Sequence, residues 1–153
     1  MSLVAICEAL AGWEFELADG EEIGSWGLRE VKNRVSSDHL PRRIILPPGA
    51  DGGSAIEGWD YVTYARVNVV YRVNELMLFA AVAQRGGLAG VWEKLTEFVD
   101  LYLVKVAQNK NLGMTGVHIV QPEVQVGLLE WPRGSREFFH GVQVSLLVRE
   151  VIC

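Results

Sequence analysis

Apolar and polar residues alternate most regularly over residues 61–73, and this period of two predicts a single long β-strand. The odd-numbered positions are mainly apolar and are expected to face the core. The even-numbered positions include Arg66 and Arg72 and are expected to face water or a partner. Because Val62 and Tyr64 lie on that second face, the pattern indicates a strand that is covered on both sides.

The same alternation recurs at residues 123–128 and 142–149, on either side of a turn-like segment at residues 131–136. Two alternating segments joined by a turn predict a long C-terminal hairpin. Shorter strands are predicted at residues 13–17 and 42–46. The second of these ends at two prolines, which cannot donate a backbone N–H to a neighbouring strand.

Two other segments have the helical period. Residues 3–11 place their apolar side chains on one face, and residues 88–107 carry the longest such stripe, which predicts the main amphipathic helix. Residues 75–84 fit either a helix capped by Asn74 or a continuation of the long strand. Residues 18–37 show no period and are expected to be irregular.

The order of these segments predicts an α+β fold. It consists of a mostly antiparallel sheet with a long strand and a C-terminal hairpin, packed by an N-terminal helix and one main amphipathic helix. Residues 1–153 are expected to form a single domain, because their number is close to the average domain size. Residues 47–58 contain two prolines and four glycines and are expected to form a mobile loop.

Composition narrows the class of protein. Half of the residues are hydrophobic and 22% are charged, which argues against intrinsic disorder. The net charge of -5 argues against a general duplex-binding surface, which needs clustered Lys and Arg. No apolar run approaches the roughly 18 residues of a membrane helix. Cys7 and Cys153 are expected to be reduced thiols, in a reducing cytoplasm or in a particle assembled there.

The sequence shows no pattern typical of catalysis or of metal binding. Its three histidines are scattered and lack the close spacing of metal ligands: His39, His118 and His140. There is also no G-x-S-x-G motif for a nucleophilic serine. We therefore predict that the chain has no catalytic, cofactor-binding or metal-binding residue. A small enzyme or ligand-binding domain stays open as an alternative, with a pocket lined by Trp92, Tyr102 and His118.

Aromatic and arginine side chains point instead to contacts between proteins, because both types are enriched at interfaces. Six of them are predicted to lie in an interface between subunits: Trp59, Tyr64, Arg66, Arg72, Arg133 and Arg136. The arginine clusters have two interpretations. They either form a solvated edge that blocks unwanted strand pairing, or they form salt bridges to acidic residues of a neighbouring subunit.

Short segments along the chain then carry a family resemblance. In order they are Ala9-Leu10-Ala11 at the end of the first helix, HLPRRIILP (39–47), WDYVTY (59–64), NKNLG (109–113) and FFHGVQV (138–144). Their order resembles that of the tail terminator (tail-completion) proteins of long-tailed bacteriophages and prophages, over nearly the whole chain. Residues 13–37 depart from it, being longer and richer in Gly and Trp.

The resemblance implies a structural, non-enzymatic role in the virion. Members of that family form a ring, typically a hexamer, at the head-proximal end of the tail. The ring stops polymerisation of the tube protein and offers a surface to the head connector. DNA is only cargo that passes through its channel, and no cofactor or membrane is implied. Such a ring would be assembled in the cytoplasm of the bacterial host. The alternative within this class is another neck or head-closure component.

Overall fold

The computed structural model describes residues 2–27, 30–32, 34–49, 54–82 and 86–153. Their helices and strands follow one another in this order: α1 (Ser2–Ala11), β1 (Phe15–Glu16), β2 (Glu22–Trp26), a 3-10 turn (Ser37–His39), β3 (Arg42–Leu46), β4 (Ile56–Thr63), β5 (Arg66–Ala81), α2 (Leu88–Gln108), β6 (Val117–Glu130) and β7 (Phe138–Ile152). The fold is α+β, with a curled and mostly antiparallel sheet, as the sequence predicts. Neither helix is long and apolar enough to cross a membrane.

In the described residues the sheet has seven strands. Six of them follow the order β1-β2-β3-β5-β7-β6, and β4 pairs with β5 beside this path. Strand β5 therefore has two neighbours along the same side: β4 along residues 66–71 and β3 along residues 74–78. The β2–β3 pair is parallel, and the other pairs are antiparallel.

The main core lies between one face of the sheet and the two helices. Helix α2 buries Val91, Leu95, Phe98 and Tyr102, which recur every three or four residues and therefore share one face. Helix α1 contributes three further buried side chains: Ile6, Cys7 and Leu10. Burying a large apolar side chain stabilises a fold by about 1.5–3 kcal/mol. These two apolar stripes therefore account for the docking of both helices on the sheet.

A second, smaller core lies on the opposite face of the sheet. It contains Trp26, Ile44, Leu78 and Phe139, and partly buried residues from the segment that follows β2 pack against it. This cover lies at the end of the sheet where Ala81 of β5 pairs with Phe139 of β7. The opposite face is therefore covered at that end by an irregular segment and not by a helix.

The predicted single strand at residues 61–73 is wrong, because a hairpin turn interrupts it. Strand β4 ends at Thr63 and β5 begins at Arg66, so the chain reverses direction between them. The expected core-facing side chains behave accordingly: Val69 and Val73 are buried, but Tyr61 and Thr63 are exposed. The turn contains neither Gly nor Pro, and alternation continues across it. The pattern therefore gave no sign of the break.

The other differences are local. Residues 75–84, open between helix and strand, continue β5 as far as Ala81; residues 83–85 lie outside the described residues. The segment expected to be irregular contains β2. Of the predicted 47–58 loop, residues 50–53 lie outside the described residues, and its last three belong to β4. Both predicted helices are present within one residue of their expected bounds.

Candidate functional site

Strand β4 exposes two neighbouring aromatic side chains. Trp59 is 54% exposed and Tyr61 is 73% exposed. Their rings meet edge to face, with centroids 6.1 Å apart. Large aromatic side chains are the commonest anchors of protein interfaces, because each removes a large apolar area from water on binding. This pair is therefore the most conspicuous candidate contact point among the described residues.

The register of the sheet places these rings on the helix-facing side. Trp59 lies opposite Val69, and Ile56 lies opposite Tyr71. Residues opposite one another on neighbouring strands share a face; Val69 is buried, and Tyr71 packs against the main core. Tyr61, two residues beyond Trp59, points the same way. We call the exposed set Ile56, Trp59 and Tyr61 the β4 surface.

Two of the sequence-predicted interface residues lie close to this surface. Tyr64 occupies the turn between β4 and β5 and is fully exposed, and Arg66 begins β5 with its side chain exposed. The structure thus brings Trp59, Tyr64 and Arg66 into one hairpin.

Arg133 and Arg136 lie at the other end of the sheet. Both are exposed in the turn between β6 and β7, beside the end of β5. The carboxylate of Glu130 orders this turn by accepting bonds from the N–H groups of Gly134 (2.7 Å) and Arg136 (3.2 Å). Strand β5 has 16 residues, so about 50 Å separates the two ends at roughly 3.3 Å per residue. The six predicted interface residues therefore form no single patch.

Arg72 lies between these ends, on the polar face of the sheet. It donates to Glu57 at 2.9 Å and to the hydroxyl of Ser145 at 2.9 Å, and it lies 3.4 Å from a carboxylate oxygen of Glu123. The hydrogen bond to Glu57 raises the pKa of Arg72 above its ordinary value. A groove of about 260 Å³ lined by polar side chains lies beside it. Arg72 therefore already has acidic partners within its own chain.

A buried ion pair, missed by the sequence analysis, links β3 to β5. Arg43 donates from Nε and Nη2 to the two carboxylate oxygens of Glu75, at 2.8 and 2.6 Å. It also donates to the backbone carbonyls of Trp13 at 2.8 Å and Leu10 at 3.0 Å. Its guanidinium lies 4.7 Å from the centre of the Phe15 ring. This network ties the end of α1 to the sheet.

Electrostatics supports the charged form of this pair. Burial alone would lower the pKa of Arg43, but the charge of Glu75 and the hydrogen bonds to it outweigh burial and raise that pKa. Burial, reinforced by the negative charge of Glu75, also raises the pKa of Tyr102 well above its ordinary value. One signal in the sequence pointed to this pair: Glu75 is a lone carboxylate bordering an apolar run, and such a charge needs a buried partner.

The described residues contain no group of three or more His, Cys, Asp or Glu side chains that could hold a metal ion. His118 lies opposite Arg149 and His140 opposite Leu128, so the two histidines do not meet across the hairpin. Tyr102, expected to line a pocket with Trp92 and His118, is fully buried in the main core. The residue therefore lines no open pocket.

Comparison with known proteins does not assign the chain to a family. The chain matches no model of a known protein family, and a search of curated proteins finds no significant relative. The exposed surfaces of the sheet are therefore the basis for the function proposed below.

Proposed function

We propose that this chain is a structural subunit that associates with copies of itself into a closed ring. The observation that supports this proposal is the β4 surface, where three large apolar side chains are exposed side by side on a sheet face. A contiguous apolar patch of this kind is typical of a surface that is covered by a partner. The resemblance to tail terminators supplies the biological setting.

The distribution of the predicted interface residues favours a ring over a two-fold dimer. Tyr64 and Arg66 lie at one end of the sheet, and Arg133 and Arg136 lie at the other. An interface that joins two different patches is heterologous, and it closes into a ring when the rotation between subunits closes. A two-fold dimer would need only one self-complementary patch.

In this proposal the ring caps the tail tube of a long-tailed phage, stops tube polymerisation and joins the tube to the head connector. Its partners are copies of itself, the tube protein and the connector, and DNA passes through it only as cargo. The net charge of -5 suits that passage, because a strongly basic channel would hold the phosphate backbone. The ring is assembled in the cytoplasm of the bacterial host and has no enzymatic activity.

The first test is the oligomeric state of the purified chain, by native mass spectrometry, sedimentation and negative-stain microscopy. The monomer has a mass of 17.0 kDa, so a hexameric ring is expected at about 100 kDa. A chain that stays monomeric at high concentration, and that forms no ring in particles, would contradict the proposal.

A pair of variants tests whether the β4 surface drives assembly. Trp59→Ser is expected to weaken association about 30-fold, because losing an aromatic anchor costs about 2 kcal/mol. Trp92→Ser is the matched control, since Trp92 on α2 is also 54% exposed. If both variants weaken assembly equally, or neither does, the β4 surface is not the contact.

Deleting the gene for this chain from a phage or prophage that encodes it distinguishes a terminator from a head-closure component. Loss of a terminator is expected to give overlong tail tubes, visible by electron microscopy. Loss of a head-closure component is expected to give tails of normal length without attached heads. Unchanged particles would contradict both roles.

A further inference from the structure

The sheet has two long strands with an open edge. In the described residues, β6 pairs with β7 alone and β4 pairs with β5 alone, so one side of each strand lacks a strand partner. Their lengths are 14 and 8 residues. An open edge presents unpaired backbone N–H and C=O groups, and natural proteins protect such edges unless they are used for pairing.

Protection is present along only part of β6. Pro122 lacks an N–H group, and the pairing register with β7 shifts between Ile119 and Gln121. Both features disfavour pairing with another strand. Residues 123–130 have neither of them. In β4 the register shifts lie towards the two ends, which leaves residues 58–61 regular.

The open parts of the two edges expose apolar side chains on the same face. Val126 lies opposite Val142, which is buried in the main core, so Val126 and Leu128 project from the helix-facing side. They are 49% and 55% exposed. The β4 surface projects from that side as well. If the two edges were joined, these apolar side chains would become cross-strand neighbours.

The strand directions also allow β4 of one copy to pair with β6 of another. Strands β4, β5, β7 and β6 are neighbours in that order, and each pair is antiparallel. The β4 strand of a second copy can therefore follow β6 and continue the alternation.

We propose that residues 58–61 of β4 pair antiparallel with the open part of β6 in the next copy of this chain. The inference rests on the proposed self-association and names the surfaces that meet. In the favoured register Asp60 lies opposite Gln125, Trp59 opposite Val126 and Tyr61 opposite Val124. A shift by two residues in one direction would set Asp60 opposite Glu123, and like charges directly opposite each other are destabilising.

Cysteine cross-linking tests this strand pairing directly. In a Cys153→Ser background, Asp60→Cys and Gln125→Cys are introduced together, because cross-strand neighbours are close enough for a disulfide. Mild oxidation of the assembled chain is expected to give a ladder of covalent multimers, whereas each single variant gives none. A covalent dimer from Asp60→Cys alone or Gln125→Cys alone would mean that like edges meet, and would overturn the proposal.

Native mass spectrometry of the same samples distinguishes failure of the strand pairing from failure of self-association. If rings form but the double variant does not cross-link, the proposed pairing of β4 with β6 in this register is wrong and the proposed function stands. If the unaltered chain forms no oligomer, both fail.

A charge placed on the edge gives an independent readout. Val126→Lys is expected to abolish assembly while the chain stays folded, because lysine on an edge blocks strand pairing. Val104→Lys is the matched control, since Val104 lies on α2 and is 53% exposed. Circular dichroism checks that both variants are folded. Normal assembly of Val126→Lys, or equal loss of assembly in the control, would overturn the proposal.

Discussion

Replacing Arg43 is expected to be among the most destabilising single changes in the chain. Arg43→Met removes two hydrogen bonds to Glu75 and one each to the carbonyls of Leu10 and Trp13. It also leaves the Glu75 carboxylate charged and buried, with 3% of its side chain exposed. Breaking a buried ion pair in this way costs about 3–5 kcal/mol. A whole domain is stable by only about 5–15 kcal/mol, so the loss is a large share of the total.

The double variant separates the pair from its surroundings. Arg43→Met with Glu75→Leu removes both charges and keeps similar side-chain volumes. The carbonyls of Leu10 and Trp13 then each lose the bond from Arg43, at about 1 kcal/mol per bond, and the Leu10 carbonyl keeps only the N–H of Trp13 at 3.2 Å. The double variant is therefore expected to lose about 2 kcal/mol, less than Arg43→Met alone.

Urea unfolding followed by tryptophan fluorescence measures these differences. It is done at concentrations where the chain is monomeric, since assembly would add to the apparent stability. A double-mutant cycle that includes Glu75→Leu alone then gives the coupling between the two side chains, expected to exceed about 2 kcal/mol. A loss below about 1 kcal/mol for Arg43→Met, or strict additivity in the cycle, would refute the importance assigned to this pair.

Further predictions concern the thiols and a tight strand contact. Burial raises the pKa of the Cys7 thiol from 9.0 to about 11. A disulfide-exchange reagent at pH 8 should therefore modify exposed Cys153 rapidly and Cys7 only on unfolding. Stability contributed by protonated Cys7 is fully present below pH 9.0 and is lost as pH rises to about 11, which thermal unfolding across that range would detect. Gly141→Ala would bring its Cβ within 2.0 Å of the Met77 carbonyl oxygen, so it should destabilise the fold by several kcal/mol in urea unfolding. Gly127→Ala has no atom within 4 Å and should change stability by less than about 0.5 kcal/mol; similar effects of the two alanines would contradict this account.

Local patterns in the sequence were sufficient for the helices and for several strands. Helix α2 could be predicted because its buried side chains recur at helical spacing along one face. Strand β3 could be predicted because its apolar residues end at two prolines. In both cases the decisive information lies within a few residues of the element.

The β4–β5 hairpin and the ion pair could not be predicted in this way. Alternation at residues 61–73 continues through the turn, so a single strand and a hairpin give the same pattern. The pairing of Arg43 with Glu75 joins residues 32 positions apart, and only the register of β3 against β5 brings them together. Exposure of Val126 was missed for a related reason. Alternation identifies which side chains share a face, but not how far the helices cover that face.

The two uncovered regions of the sheet differ in how favourable their contact with water is. On one face Arg72 is surrounded by its own partners, Glu57, Glu123 and Ser145, so water is an adequate neighbour for the groups that remain. On the other face, beyond the helices, the β4 surface exposes apolar rings whose contact with water is unfavourable and which no polar partner can offset. Covering the first region would displace water from charged groups, which disfavours association. Covering the second region would stabilise the assembly in proportion to the apolar area removed from water. Self-association is therefore expected at the β4 surface, and the polar region around Arg72 is expected to stay hydrated in the proposed ring.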